Sequence, residues 1–291
     1  MSKILVTGAT GQLGQAVVNE LLNKINASNI SILVRNLAKA EELKAKGVSV
    51  IQGDYNDYTS LVAAFRGVDK LYFVSSSDVM NRFAQHQNVV KAAAEAQVGY
   101  ILYTSAQRKS EDGSSPIALV ADAHWKTDNL IKESGLTYTI LKNGLYTDIL
   151  PMFMGDKVIE TGTIFLPAGD GKASYASRND LAAAGAILLT TEGHENKVYE
   201  MGGPVAYSFQ DIAGMLSELS GKTIQYVSPS AEVFSEQLKS YGLPDEAIQG
   251  AATFCVAIAQ GEFNFRSTDL ETILERKAQT VRDFLKAAYQ L

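Results

Sequence analysis

Residues 1–14 read MSKILVTGATGQLG, and the fold follows from them. Ile4, Leu5 and Val6 form the short apolar run of a buried strand. Gly8, Gly11 and Gly14 follow at three-residue spacing, and Leu13, Val17, Val18, Leu21 and Leu22 then recur with a helical period. A strand, a glycine turn and a helix in this order aim free backbone N–H groups and the positive end of a helix dipole at one point, where a pyrophosphate can sit. Gly8 suits the tight turn. Gly11 bares the backbone to a phosphate because it has no Cβ, and Gly14 lets the helix pack close to the strand. An ordinary βα turn is the plainer alternative; the flanking strand and helix favour the nucleotide loop. The candidate loop is Gly8, Ala9, Thr10, Gly11, Gln12 and Leu13.

The chain has 291 residues, 46% apolar and 20% charged, ordinary values for a globular protein with one sizeable core or a domain with an appended lobe. The formal net charge of −6 argues against a nucleic-acid partner, which needs a basic face. Cys255 is the single cysteine, so no intrachain disulfide and no cysteine metal cluster is expected, and no metal site is expected at all. The longest apolar run, Leu181 to Leu189, falls short of the roughly 20 residues that span a bilayer, so no membrane insertion is expected. Met1-Ser2-Lys3 runs straight into the first strand without a signal peptide, which makes a cytoplasmic location the expectation.

Outward from the loop, β and α patterns alternate. Strands are expected near 3–7, 30–34, 48–52, 70–74, 100–104 and 136–142. They make an α/β fold: a Rossmann-type doubly wound parallel sheet in the order 3-2-1-4-5-6. Residues 1–150 form the nucleotide-binding domain. Residues 151–291 form mainly a smaller α+β substrate-binding lobe, part of which can pack back on the sheet. Arg35 ends the second strand, where such folds read the adenosine ribose, and no Asp or Glu occurs from Asn29 to Ala40. An arginine offers a charged fork to a 2′-phosphate and favours NADPH over NADH; Lys39 can add charge. Asp54 follows the third strand and can cap the next turn. Ser75, Ser76 and Ser77 follow the fourth, either bonding a ribose or phosphate or capping a helix at Asp78. Asn143 and Gly144 follow the sixth, near the nicotinamide end.

The phrase Thr7-Gly8-Ala9-Thr10-Gly11-Gln12-Leu13-Gly14 resembles the short-chain dehydrogenase/reductase superfamily. Val34-Arg35-Asn36, Gly53-Asp54-Tyr55, Asn143-Gly144-Leu145-Tyr146 and the helix around His124-Trp125-Lys126-Thr127-Asp128 narrow the resemblance to the NmrA-like atypical reductases, among them the bacterial NAD(P)H:quinone and triphenylmethane reductases. The likeness runs nearly end to end, through Ala168-Gly169-Asp170-Gly171 and Ser177-Arg178-Asn179-Asp180, with Asp180 read as a helix cap. It departs at Leu274-Glu275-Arg276-Lys277, where Gly and Pro are usual.

The resemblance implies an NAD(P)H-dependent oxidoreductase with a small quinone-like or other conjugated acceptor. Its alternative is an NmrA-like cofactor-sensing regulator that binds NADP without catalysis. The resemblance also implies that Asp54, instead of capping a turn, contacts the adenine together with Tyr55. In the wider superfamily a Tyr-x-x-x-Lys pair protonates the substrate carbonyl, helped by a Ser or Thr at the position of Ser105. No tyrosine lies between Tyr103 and Tyr138, so that pair is missing. No catalytic residue is assigned. His124 is the one candidate, as a proton donor with a pKa near neutrality or as a structural partner of Asp128 at i,i+4. Without an acid, quinones suit best: hydride addition gives a weakly basic phenolate that solvent can protonate, and the protein need only hold the planar acceptor in place.

Overall fold

The computed structural model describes residues 2–291. Its first half runs β1 (Ile4–Val6), α1 (Gln12–Leu22), β2 (Ile30–Val34), α2 (Glu41–Ala45), β3 (Ser49–Gln52), α3 (Tyr58–Phe65), β4 (Lys70–Phe73), α4 (Arg82–Glu95), β5 (Tyr100–Ala106), α5 (Ala118–Glu133) and β6 (Thr137–Asn143). The six strands are parallel and ordered 3-2-1-4-5-6, as the sequence leads one to expect. Alternation along β1 feeds two cores. Ile4 and Val6 pack with α1, while Leu5 faces α3 and α4 on the other side.

The second half runs β7 (Leu145–Tyr146), α6 (Leu150–Met154), α7 (Val158–Thr161), β8 (Thr163–Phe165), β9 (Ala173–Ala176), α8 (Arg178–Thr190), β10 (Lys197–Met201), β11 (Ala206–Tyr207), α9 (Phe209–Ser220), β12 (Gln225–Val227), α10 (Ala231–Ser240), α11 (Asp245–Ala259), α12 (Asp269–Leu274) and α13 (Val281–Ala288). The sheet does not end at residue 150. β10 adds a seventh parallel strand beside β6, with Lys197 opposite Thr139 and Met201 opposite Asn143. The apolar run from Leu181 to Leu189 is most of α8, which shares a core with Val17, Val18 and Leu21 of α1. Small residues let it lie this close: a Cβ on Gly185 would come within 2.7 Å of the Tyr72 ring.

A third core, under β8, β9, α9 and α11, includes Phe209, Leu216, Phe234 and Cys255. Fully burying each such side chain is worth about 1.5–3 kcal/mol. Burial pushes the Cys255 thiol up to about 12, so it is packing and not a nucleophile. No helix among the described residues is long and apolar enough to cross a membrane.

Two details differ from expectation. Ser177, not Asp180, caps α8: its Oγ accepts the Asp180 N–H at 3.1 Å. Asp180 instead holds the C-terminal connection, accepting the Gln279 N–H at 2.7 Å and pairing with Arg276 at 2.6 Å. There Glu275 takes the left-handed conformation (φ 54°) that a glycine usually fills at a helix end, so the turn survives without its usual residue.

Candidate active site

A cavity of about 710 Å3 opens beyond the carboxyl ends of the central strands, the crevice in which open α/β sheets take ligands. At one end it is lined by the β1–α1 loop. Gly8 sits in the left-handed region at φ +61°. A Cβ on Gly14 would meet the Gly8 carbonyl oxygen at 2.3 Å, so α1 crosses the loop only because that position is glycine. The N-cap, Gly11, brings no side chain, and the first turn of α1 carries no acid. The amides that open the helix therefore have no intrahelical acceptor and no competing carboxylate. This acid-free, uncapped helix start fits a pyrophosphate.

Thr10, Gly11, Gln12 and Leu13 line the cavity with Gly8. Ala9 does not: its methyl is fully buried in the core behind the loop, which leaves only its backbone for a ligand. Thr7, missed in the sequence, ties the loop down; its Oγ1 accepts the Val74 N–H at 3.0 Å and lies 2.5 Å from the Tyr55 hydroxyl. Arg35 stands exposed on the cavity wall, with no ion pair among the described residues. Lys39 is exposed and off that wall. Asp54 lines the cavity and also caps its own turn, accepting the Asn56 N–H at 2.8 Å.

Ser75, Ser76 and Ser77 all reach the cavity. Ser76 is a brace: its N–H donates to His86 Nε2 at 3.0 Å, and its hydroxyl bonds the Gln85 side chain and accepts the Asp78 N–H. The helix after them starts at Arg82, not at Asp78.

The other end of the cavity holds a hydrogen-bonded chain the sequence did not reveal. The Ser76 amide can only donate, so His86 accepts on Nε2 and carries its proton on Nδ1. That proton goes to Thr127 Oγ1 at 2.8 Å, whose own hydrogen goes to the Ala123 carbonyl at 2.6 Å. Tyr103 is left to donate to His124 Nδ1 at 2.8 Å. These partners assign the His124 proton to Nε2. Burial, and then the Arg82 charge, hold the His124 imidazole well below its usual range. His86 is pushed down to about 3 for the same reasons. Burial raises the Tyr103 and Tyr146 hydroxyls above the normal phenol.

Two expectations for His124 are corrected here. Its pKa is held well below neutrality, first by burial and then by the Arg82 charge. It does not pair with Asp128 either. Asp128 turns to Arg108, 2.7 Å away, in an ion pair with both side chains 2% exposed. Arg108 also donates to Ser105 Oγ at 3.3 Å, so Ser105 is held from behind while lining the cavity.

Asn143 and Gly144 lie on the wall as well, and the Asn143 amide donates to the Tyr146 hydroxyl at 3.4 Å. Above Tyr146 stands Arg178, its guanidinium 4.3 Å from the ring centroid. Phe254 and Phe263 stack with ring centroids 6.0 Å apart and planes nearly parallel, and close the cavity from α11 and the turn after it.

The family model described as the NmrA-like family matches residues 1–285. The chain belongs to that family. Quinone oxidoreductase 2 of Escherichia coli K12 is 39% identical over 280 residues, 96% of either chain. An NAD(P)H azoreductase of Xenophilus azovorans is 31% identical, covering 98% of this chain and 97% of its own. Among NmrA-like structures, the triphenylmethane reductase of a Citrobacter species superposes with a TM-score of 0.92 at 38% identity over the whole of both chains. The E. coli quinone oxidoreductase solved with NADPH gives 0.91 at 38%, over 98% of this chain and 99% of that one.

Proposed function

We propose that this chain is an NADPH-dependent reductase that passes a hydride to a quinone-like planar acceptor. One observation carries it: a single cavity joins an anion-binding glycine loop to an aromatic pocket in which no side chain titrates as an acid near neutrality. The family members described above as quinone, azo-dye and triphenylmethane reductases support the same chemistry. Bound NADPH supplies the hydride. The chain's own residues do the rest. The loop from Gly8 to Leu13 holds the pyrophosphate, and Arg35 takes the 2′-phosphate that distinguishes NADPH. Ser75, Ser77, Asn143 and Gly144, which line the same cavity, would face the nicotinamide end.

Phe254 and Phe263, with Ile117 and Val120, form an apolar wall that keeps a flat ring in place. The His124 Nε2–H offers a hydrogen bond to the acceptor. It is a poor proton source, because replacing its proton would leave a buried tyrosinate at Tyr103. Reduction of an isolated ketone makes an alkoxide that needs an acid. A hydroquinone anion does not, and solvent protonates it. The cytoplasm, with its NADPH supply, suits this reaction, and no nucleic-acid or metal partner enters it.

The rate of NADPH oxidation across quinones, azo dyes and triphenylmethane dyes tests the proposal; turnover of at least one class is expected. Tight NADPH binding with none turned over would give the chain to the alternative, a cofactor-sensing regulator.

A further inference from the structure

Given the reductase activity proposed above, we infer that Arg82 is a catalytic residue that stabilises the oxyanion formed on the acceptor. Arg82 is 7% exposed and lines the cavity. Its Nε donates to the Ser76 carbonyl at 2.7 Å, which fixes the plane of the guanidinium. Nη1 is sealed from solvent without a partner, and no residue among those described pairs with the rest of the fork. The nearest acid in sequence, Asp78, is taken up by the Asn81 amide and side chain and by Gln85; its charge favours the Arg82 cation from a distance but makes no ion pair with it. The groups that face the guanidinium from the other elements are Tyr103, Tyr146, His86 and His124, all neutral. A fixed, desolvated cation with no carboxylate in contact acts strongly on an anion brought beside it, because the low local dielectric screens it little.

Acceptor reduction makes such an anion. Hydride brings two electrons and one hydrogen nucleus to the acceptor. The C–H bond of the reduced nicotinamide breaks and an O–H bond forms at one quinone carbonyl. The π electrons shift through the ring, which becomes aromatic, and the displaced pair settles on the other carbonyl oxygen as a phenolate. A solvent proton there completes the hydroquinone, and the nucleotide leaves as NADP+. Arg82 meets the negative oxygen more strongly than the neutral carbonyl, which is what accelerates a step. His124 adds a neutral N–H beside it.

The test measures binding first. With NADP+ present, the parent protein should bind 4-nitrophenolate at least about tenfold more tightly than 4-nitroanisole, which has the same ring without the charge. Arg82→Met should bring that ratio near one, and Arg82→Lys should keep part of it. In turnover, Arg82→Met should lower kcat by about 10²–10³ with little change in the acceptor KM. The loss should be largest for acceptors whose reduced forms are most basic.

A parent protein that does not prefer the phenolate overturns the inference whether or not any variant folds. So does an Arg82→Met variant with the parent's preference, or one whose NADP+ affinity falls as far as its kcat, which would give Arg82 to the nucleotide. A parent that turns over no quinone or dye strikes the reductase reading instead.

Discussion

The two ends of the cavity are built from different material. At the nucleotide end the work falls to backbone: an uncapped helix start, two glycines in close approach and one exposed arginine. At the acceptor end it falls to buried side chains from β5, β6, α4, α5 and α11, each held by another. The first end depends on what is absent, namely Cβ atoms and acids. The second depends on what is enclosed: neutral histidines and tyrosines around the buried Arg82 cation. Substitutions at the two ends should therefore fail in different ways.

The largest effects are expected in the glycine loop, and they should split. Gly14→Val puts a Cβ against the Gly8 carbonyl, so loss of the fold is expected in thermal unfolding. Gly11→Val puts a Cβ 3.3 Å from the Gly8 carbonyl oxygen, which has to yield by a few tenths of an ångström; it should still fold, with a smaller loss of stability than Gly14→Val, while NADPH binding and turnover vanish. If both variants lost binding at unchanged stability, the close crossing would not be what requires Gly14.

Next comes Arg35→Asp. It removes a charge-assisted bond or two, on the order of 1.5–3 kcal/mol each, from NADPH and not from NADH. Calorimetry should show NADPH weakened at least about tenfold and NADH little changed. Equal affinity for the two nucleotides in the parent protein would sink the assignment.

The acceptor end should show itself through acid. The folded pKa of His86 is about 3, against 6.5 for a free imidazole. Above pH 6.5 both folded and unfolded chains hold the neutral ring and stability is complete. Below it the unfolded chain takes up a proton that the folded one refuses. Stability then falls by about 1.4 kcal/mol per pH unit for each such histidine, and His124 adds to the same slope. Urea midpoints at pH 7 and pH 5 should differ, and His86→Gln should flatten the difference. A midpoint unmoved between the two would contradict neutral burial.

The smallest effect is expected at His124. His124→Ala should cost about tenfold or less in kcat, well under the 10²–10⁴ of a lost general acid. A thousandfold loss would make His124 the acid and bring the acceptor end closer to an ordinary carbonyl reductase.

The same contrast explains what could be read without coordinates. A glycine loop is local: Gly8, Gly11 and Gly14 act within one turn of chain, so spacing alone points to them. The sheet order follows from βα alternation, another local pattern. The acceptor end is not local. α5 carries no tyrosine, since none lies between Tyr103 and Tyr138. Tyr103 reaches His124 from β5 instead, across 21 residues. Asp128 reads as a partner for His124 at helical spacing, yet Arg108 from the loop after β5 outcompetes it with a full charge. Arg82 and His86 carry no motif; only burial, and for Arg82 the lack of a carboxylate in contact, marks them. Phe254 and Phe263 are apolar, and nothing in their spacing tells core from cavity wall.

β10 lies beside β6 though Met201 is made 58 residues after its partner Asn143. At ordinary ribosomal rates the interval is about three to twelve seconds. Throughout it β6 is a bare edge with its amides and carbonyls unpaired, the kind of edge that other chains can add to. The small residues of α8, emerging next, arrive in time to cover the opposite face of the sheet before that edge is closed. A nascent chain released at residue 150 would carry the whole glycine loop and still be left with an unfinished sheet.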